Sequence, residues 1–251
     1  MDLNMKNRIA LITGGASGIG AKTAEFFVQE GCKVFLADIR QEQMGKGIDL
    51  LRKMGGEVDG GHCDVSDEKM VSRMVDQAIE RFGTVDFLIN SAGIGVGLKS
   101  LEAAASSEWQ RTLEVNLIGT IHSCKAIMPI LRQKKAGRIV NISSEAGVSG
   151  ERGLEIYAAS KGGVIALTKS LARELGRYKV TVNAVAPAFV HSPLTASLIT
   201  PEIEEKWLKM YQIKRLGEPQ DIASMIVFLC SERCSWITGQ TISINGGFSM
   251  R

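Results

Sequence analysis

Short apolar runs alternate with longer stretches in which apolar positions recur every three or four residues, and the alternation holds almost from end to end. The runs predict strands near 8–13, 33–38, 58–63, 85–90, 137–143, 180–186 and 241–245. The helical period predicts helices near 18–30, 41–54, 67–82, 107–133, 157–176 and 219–231. Repetition of a strand and then a helix implies an α/β chain whose parallel sheet, of about seven strands, is doubly wound and flanked by helices.

The helical period is best supported at 67–82, where Met70, Met74 and Ile79 recur near one face, Asp67 and Glu68 sit in the first turn, and Gly83 closes the run. The stretch 107–133 is long for a surface helix and holds Pro129, which predicts a kink or an early end there. Residues 187–210 open with Pro187, lack a strand pattern and predict a mobile lid over the site. No polar or low-complexity linker interrupts the chain, so residues 1–251 are expected to form one domain.

Hydrophobic residues make up 45% and charged residues 23%, which suits a folded globular chain and not a disordered one. The net charge of +3 arises from interleaved acids and bases, so nucleic acid is not an expected partner. The densest basic group, Arg132, Lys134, Lys135 and Arg138, reads as a solvated surface at a helix end. Five cysteines, at 32, 63, 124, 230 and 234, have no paired short spacings, which predicts free buried thiols in a reducing compartment and no four-ligand zinc framework. No metal is expected. The apolar run near the N-terminus is too short for a secretory or membrane segment, so the expectation is a cytoplasmic chain with no membrane partner.

Residues 13–20 read T-G-G-A-S-G-I-G between the first strand and the first helix. Gly14, Gly18 and Gly20 allow a tight turn and a close approach of backbone to a pyrophosphate, whose charge is met by amides at the helix N-terminus. Asp38 follows at the end of the second strand, at the spacing of the acid that binds the adenosine ribose hydroxyls in a Rossmann sheet. That carboxylate would repel a 2′-phosphate, and Ser17 offers no charge to meet one. NAD is therefore expected in preference to NADP, with Arg40 as the residue that argues the other way.

Y-A-A-S-K at 157–161 places Tyr157 and Lys161 one helical turn apart. An ammonium about 4 Å from a phenol, at an effective dielectric of 20, favours the phenolate by up to about 4 kcal/mol, or roughly three pKa units. The expectation is a tyrosine made acidic enough for general acid/base chemistry.

With these motifs the chain resembles the short-chain dehydrogenase/reductase family. The ordered set is T-G-G-A-S-G-I-G at 13–20, C-D-V at 63–65, N-S-A-G at 90–93, V-N at 115–116, N-I-S-S at 141–144, Y-A-A-S-K at 157–161 and T-G-Q-T-I-S-I-N-G-G at 238–247. The resemblance implies that Tyr157 exchanges the proton, that Ser144 rather than Ser143 holds the substrate oxygen, and that Lys161 binds the nicotinamide ribose. Asn116 would bend its helix and position a water that links Lys161 to solvent. It further implies cofactor contacts from Gly14, Ser17, Gly18, Ile19, Gly20, Asp64, Val65, Asn90, Ala92, Gly93, Pro187, Val190 and Ser192, besides Asp38, Tyr157 and Lys161. A homotetramer is implied, with the 107–133 helix and the helix of Tyr157 building a dimer face.

Four positions depart from the family pattern: Ser91 for a second asparagine, Ala188 for a frequent glycine, Ser192 for threonine and Asn245 for aspartate. Glu145, Arg152, Glu155 and His191 stand where substrate contacts can fall. The expected reaction is hydride transfer between NAD(H) and a secondary alcohol or ketone such as a polyol, hydroxy acid, cyclic alcohol or steroid. A 3-oxoacyl-carrier-protein reductase is an alternative, and a non-catalytic nucleotide-sensing scaffold is an alternative of another class.

Overall fold

The computed structural model describes residues 2–95, 97–196 and 200–250. Seven strands, β1 (Ile9–Thr13), β2 (Lys33–Asp38), β3 (Val58–His62), β4 (Phe87–Asn90), β5 (Gly137–Ile142), β6 (Val180–Pro187) and β7 (Thr241–Ile244), form one sheet in the order β3-β2-β1-β4-β5-β6-β7. Every pairing is parallel. The order reverses between β1 and β4, and a crevice opens beyond the carboxyl ends of strands at such a point.

Alternate residues of each strand serve opposite faces. Ala10 and Ile12 of β1 join one core with Val34, Leu36 and Ile89, whereas Ile9 and Leu11 join the other with Phe35, Leu88 and Ile139. Burial on both faces explains why these strands read as continuous apolar runs. The first core is closed by α1 (Gly18–Gln29), α2 (Gln41–Lys53) and α9 (Pro219–Cys230). The second is closed by α3 (Glu68–Phe82), α5 (Gly119–Lys134) and α7 (Glu155–Leu175). Asp67 caps α3 by accepting from the amides of Lys69 and Met70, and Gly83 ends it in the left-handed region at φ 83°.

The long 107–133 helix differs from expectation. It runs as α4 (Ser106–Leu113), a π-helical segment at Glu114–Ile118, and α5, with Pro129 inside α5 and the helix continuing to Lys134. Pro129 removes only the bond to the Lys125 carbonyl, while the break in α-helical pattern falls around Asn116, which is fully buried.

The basic group at 132–138 is a second correction in part, because three of its four charges are held in ion pairs while Lys135 is exposed. Lys134 reaches Asp86 at 2.7 Å, Arg138 is buried and reaches Glu232 at 3.2 Å, and Arg132 pairs with Glu174. The 187–210 segment contains a helix, α8 (Pro201–Met210), capped by Thr200, whose side chain accepts from Ile203 N–H. Positions 197–199 of the expected lid lie outside the described residues. The short α6 (Glu145–Ser149) begins directly after β5, with Ser144 as its cap. All five cysteines are free and buried, and among the described residues no helix is long and apolar enough to cross a membrane. Nor does any group of histidine, cysteine or acidic side chains among them have the arrangement to hold a metal ion.

Candidate active site

A cleft of about 490 Å³ lies beyond the carboxyl ends of the strands, a volume within the usual range for ligand sites. One end is built by the glycine turn. Gly14 has φ 67°, and a Cβ there would stand 2.7 Å from the Ala92 backbone; Gly18 has φ 54°. A Cβ on Gly20 would lie 2.3 Å from the Gly14 carbonyl oxygen, so Gly20 is the packing glycine under the turn, outside the cleft lining. Ser17 precedes α1 without capping it through its side chain, which leaves first-turn amides free to face an anion. The turn, the helix start and Asp38 together fit a dinucleotide.

Asp38 is buried at the end of β2 and accepts from Ala16 N–H at 3.0 Å. It also accepts from the Arg40 backbone at 2.9 Å and from Arg40 Nε at 3.3 Å, while Arg40 Nη2 donates to Ser17 Oγ at 2.8 Å. Arg40 thus spans the mouth from Asp38 to Ser17. Asp64 is held by Ser66 and by Arg111 of α4, whose Nη2 lies 2.8 Å away. Burial of the Asp64 carboxyl opposes ionisation, but the hydrogen bonds from Ser66 and Arg111 together outweigh it and hold the group below the usual carboxylate range.

At the other end stand the proton-handling groups. Tyr157 occupies the first turn of α7 with Lys161 one turn on, and both line the cleft. Ser144 lines the same cleft, and its side chain acts on the phenol so as to favour ionisation. Ser143 also lines the cleft, but its hydroxyl is committed to the Lys161 carbonyl at 2.9 Å, which leaves Ser144 of the pair to meet the phenol. Lys161 Nζ donates to the Ile142 carbonyl at 2.8 Å and sits 5.9 Å from the centroid of the Tyr157 ring. Burial brings the ammonium down to a pKa of about 8.

The phenol corrects the expectation of an acidic tyrosine. Burial pushes its pKa up and Ser144 only partly offsets this. The helical spacing brings the cation near, but at 5.9 Å and engaged with a carbonyl it does not outweigh desolvation of the phenol.

Asn116 is a clamp. Its Oδ1 accepts from Ile94 N–H at 2.8 Å, and its Nδ2 donates to the Ile94 carbonyl at 3.0 Å and to Ser160 Oγ at 3.2 Å. Ser160 in turn donates to the Tyr157 carbonyl at 2.7 Å, tying the cofactor loop to the helix that carries the tyrosine.

Ser17, Gly18, Ile19, Asp64, Val65, Ala92, Gly93, Pro187, Val190 and Ser192 all line the cleft beside Gly14 and Asp38. Asn90 does not. It is buried below the floor, donating to Asn141 at 2.8 Å, and its Oδ1 has no partner. Ser192 Oγ lies 3.1 Å from Thr195 Oγ1, which itself donates to the Val190 carbonyl at 2.6 Å. Arg111, Ile94, Leu194 and Thr195 were not anticipated as lining residues. Arg111 reaches Asp64 across 47 positions, a contact that no local pattern announces.

A side pocket of about 80 Å³ adjoins Ser144 and Tyr157, with Glu145, Glu151, Phe189, Trp207 and Phe248 in its wall. Arg152, Glu155 and His191 line neither cavity.

Residues 14–249 match the family described as enoyl-(acyl carrier protein) reductase. A Brucella melitensis protein described as a short-chain dehydrogenase/reductase of the glucose/ribitol dehydrogenase type superposes with a TM-score of 0.92 at 33% identity, covering 100% of both chains. The chain belongs to the short-chain dehydrogenase/reductase family. Among its relatives is a 3-oxoacyl-[acyl-carrier-protein] reductase, FabG, of Thermotoga maritima, 37% identical over 98% of this chain and 99% of its own. A 7alpha-hydroxysteroid dehydrogenase of Escherichia coli K12 is 34% identical over 98% and 96%. As a short-chain dehydrogenase/reductase the protein is an oxidoreductase of CH–OH and ketone groups, in a family that uses nicotinamide cofactors.

Proposed function

We propose that the chain interconverts a secondary alcohol and its ketone with NAD(H). The observation that carries this reading is the convergence of Ser144, Tyr157 and Lys161 where the cofactor cleft meets the side pocket. Gly14, Gly18 and the start of α1 would hold the pyrophosphate, Asp38 the adenosine ribose, Asp64 and Val65 the adenine, and Lys161 the nicotinamide ribose. When bound, the nicotinamide supplies a two-electron acceptor for the hydride leaving the carbinol carbon, or the donor in reverse.

The protein's own work is positional and protonic. Ser144 holds the substrate oxygen beside the phenol. Tyr157 takes the hydroxyl proton as the carbonyl forms and returns it in reduction. Lys161 favours the phenolate by its charge, and Asn116 fixes the loop and helix that set these distances. Asp38 supports NAD, since its carboxylate would face a 2′-phosphate. Residues 187–210 would act as the lid, and α4 with α5 and α7 as a dimer face within a homotetramer.

A second reading, reduction of a 3-oxoacyl thioester on a carrier protein, is favoured by the identity to the Thermotoga maritima relative. The test is a screen of alcohols and ketones by NADH absorbance, run in parallel with NADPH and with an acetoacetyl thioester. NAD-linked turnover that falls at least 1,000-fold in Tyr157→Phe is expected, the size of a lost general acid/base. A tenfold preference for NADP, or acetoacetyl thioester as the best substrate, would replace this reading by the second.

A further inference from the structure

The side pocket presents an unusual wall for a site that handles a neutral carbonyl. Glu145, next in sequence to Ser144, is 3% exposed, lines the pocket, and neither carboxylate oxygen has a hydrogen-bond partner. A buried carboxylate normally has a cation or several donors against it, because desolvation penalises the charged form heavily. Among the described residues neither Glu145 oxygen has such a partner. The nearby Tyr211 hydroxyl accepts from Phe189 N–H at 3.0 Å and makes no bond to Glu145.

A second carboxylate, Glu151, lines the same pocket, and among the described residues no lysine, arginine or histidine does. Lys206 of α8 acts on Glu151 only from outside that lining, and burial holds the Glu151 carboxyl above its usual range despite it. The remaining wall is aromatic: Phe189 and Trp207 have ring centroids 4.3 Å apart, and Trp207 and Phe248 5.5 Å. Aromatic faces attract cations, and two carboxylates in a lining that holds no cation attract them more strongly. A carboxylate-bearing substrate would meet the opposite field.

We propose that the group beyond the reacting carbon is a protonated amine, held by Glu145 in the aromatic pocket, so that the substrates are small amino alcohols and amino ketones. The inference rests on the oxidoreductase reading above and narrows it. The pocket, at about 80 Å³, admits an ammonium on a short carbon stem. Glu145 would be a specificity residue, with proton and hydride chemistry left to Ser144, Tyr157 and the cofactor.

The test uses four alcohols that differ in one group: 1-amino-2-butanol, 1,2-butanediol, 3-pentanol and 3-hydroxypentanoate. They are assayed with the full chain and NAD at pH 7.5, where an aliphatic amine carries its proton. The expected kcat/KM for the amine exceeds that for 3-pentanol at least tenfold, with the acid lowest. In Glu145→Gln, which keeps the side chain's shape, the ratio of amine to 3-pentanol falls to within about twofold of unity. Glu151→Gln should lower the same ratio by a smaller factor.

Thermal shift with NAD present gives a readout independent of turnover. The amine should raise the melting temperature of the wild type more than 3-pentanol does, and this difference should vanish in Glu145→Gln. Should that variant fail to fold, the ratio in Glu151→Gln and the wild-type order of the four compounds decide. An amine advantage below twofold in both turnover and thermal shift, a diol or acid preferred over the amine, or an unchanged ratio in a folded Glu145→Gln would overturn the proposal. If no alcohol turns over yet the amine alone gives the shift, the pocket assignment stands and the oxidoreductase reading fails. Turnover without amine preference does the reverse.

Discussion

Replacing Lys161 with methionine tests how the tyrosine is made useful. The ammonium lies 5.9 Å from the centre of the Tyr157 ring. At an effective dielectric of 20, a unit charge at that distance favours the phenolate by about 2.8 kcal/mol, which is about two pKa units. Removing the cation raises the phenol further, so kcat/KM for alcohol oxidation at pH 7, where Lys161 carries its proton, should fall about 100-fold. The assay is a pH profile of kcat/KM for oxidation, wild type against Lys161→Met. A deficit that shrinks above about pH 8, where wild-type Lys161 itself loses its proton, is the electrostatic signature. A variant equally impaired at every pH would show that Lys161 acts by holding the ribose and that its charge does not set the acidity of Tyr157.

Three other outcomes follow from the geometry. Without cofactor, Lys161 titrates at about 8 in the folded protein against 10.5 ordinarily. The unfolded chain therefore binds the extra proton between those values, and stability rises with pH across that window by about 3 kcal/mol. Urea melts should show Lys161→Met more stable than wild type at pH 7, with the gap closing towards pH 10.5; a constant gap would contradict the depressed ammonium.

Gly147→Ala would place a Cβ 2.6 Å from the Lys161 carbonyl carbon and 2.7 Å from Gly162 N, pushing α6 off α7. Because Ser144 sits on one and Tyr157 on the other, turnover should fall about 100-fold while cofactor affinity, measured by fluorescence titration, changes little. Asp38→Ser should raise the NADP-to-NAD ratio of kcat/KM about 100-fold by removing the charge that faces a 2′-phosphate. It should also cost about 1–3 kcal/mol in a urea melt, since Ala16 N–H loses its acceptor.

Much of the sheet was legible because parallel strands covered on both sides are apolar along most of their length, as Ile9 to Ile12 and Val34 to Ala37 show. The active-site spacing was legible for a local reason: Tyr157 and Lys161 are neighbours on one helix, and Ser144 stands at a strand end. What sequence could not supply were relations across the chain. The Arg111–Asp64 pair, the burial of Arg138 against Glu232 and the burial that leaves Tyr157 less acidic than expected all depend on packing between elements. Helix α8 was legible in principle, since Thr200 followed by Pro201 and Glu202 is an N-terminal signature, but the proline at 187 drew the whole stretch into one loop. The irregular turn at Glu114–Ile118 falls where the family resemblance put a bend, at Asn116, although no residue type there marks it as π-helical.

That wider turn makes the helix it interrupts hard to tidy. An α-helix advances about 100° per residue, so deleting one residue to restore regular hydrogen bonding would swing either Arg111 away from Asp64 or Ser123, Ile127 and Leu131 away from the sheet. Engineering for heat resistance commonly smooths such irregularities. In this protein the smoother helix would separate the Asp64 side of the cleft from the Tyr157 side, so any redesign has to keep the irregular turn.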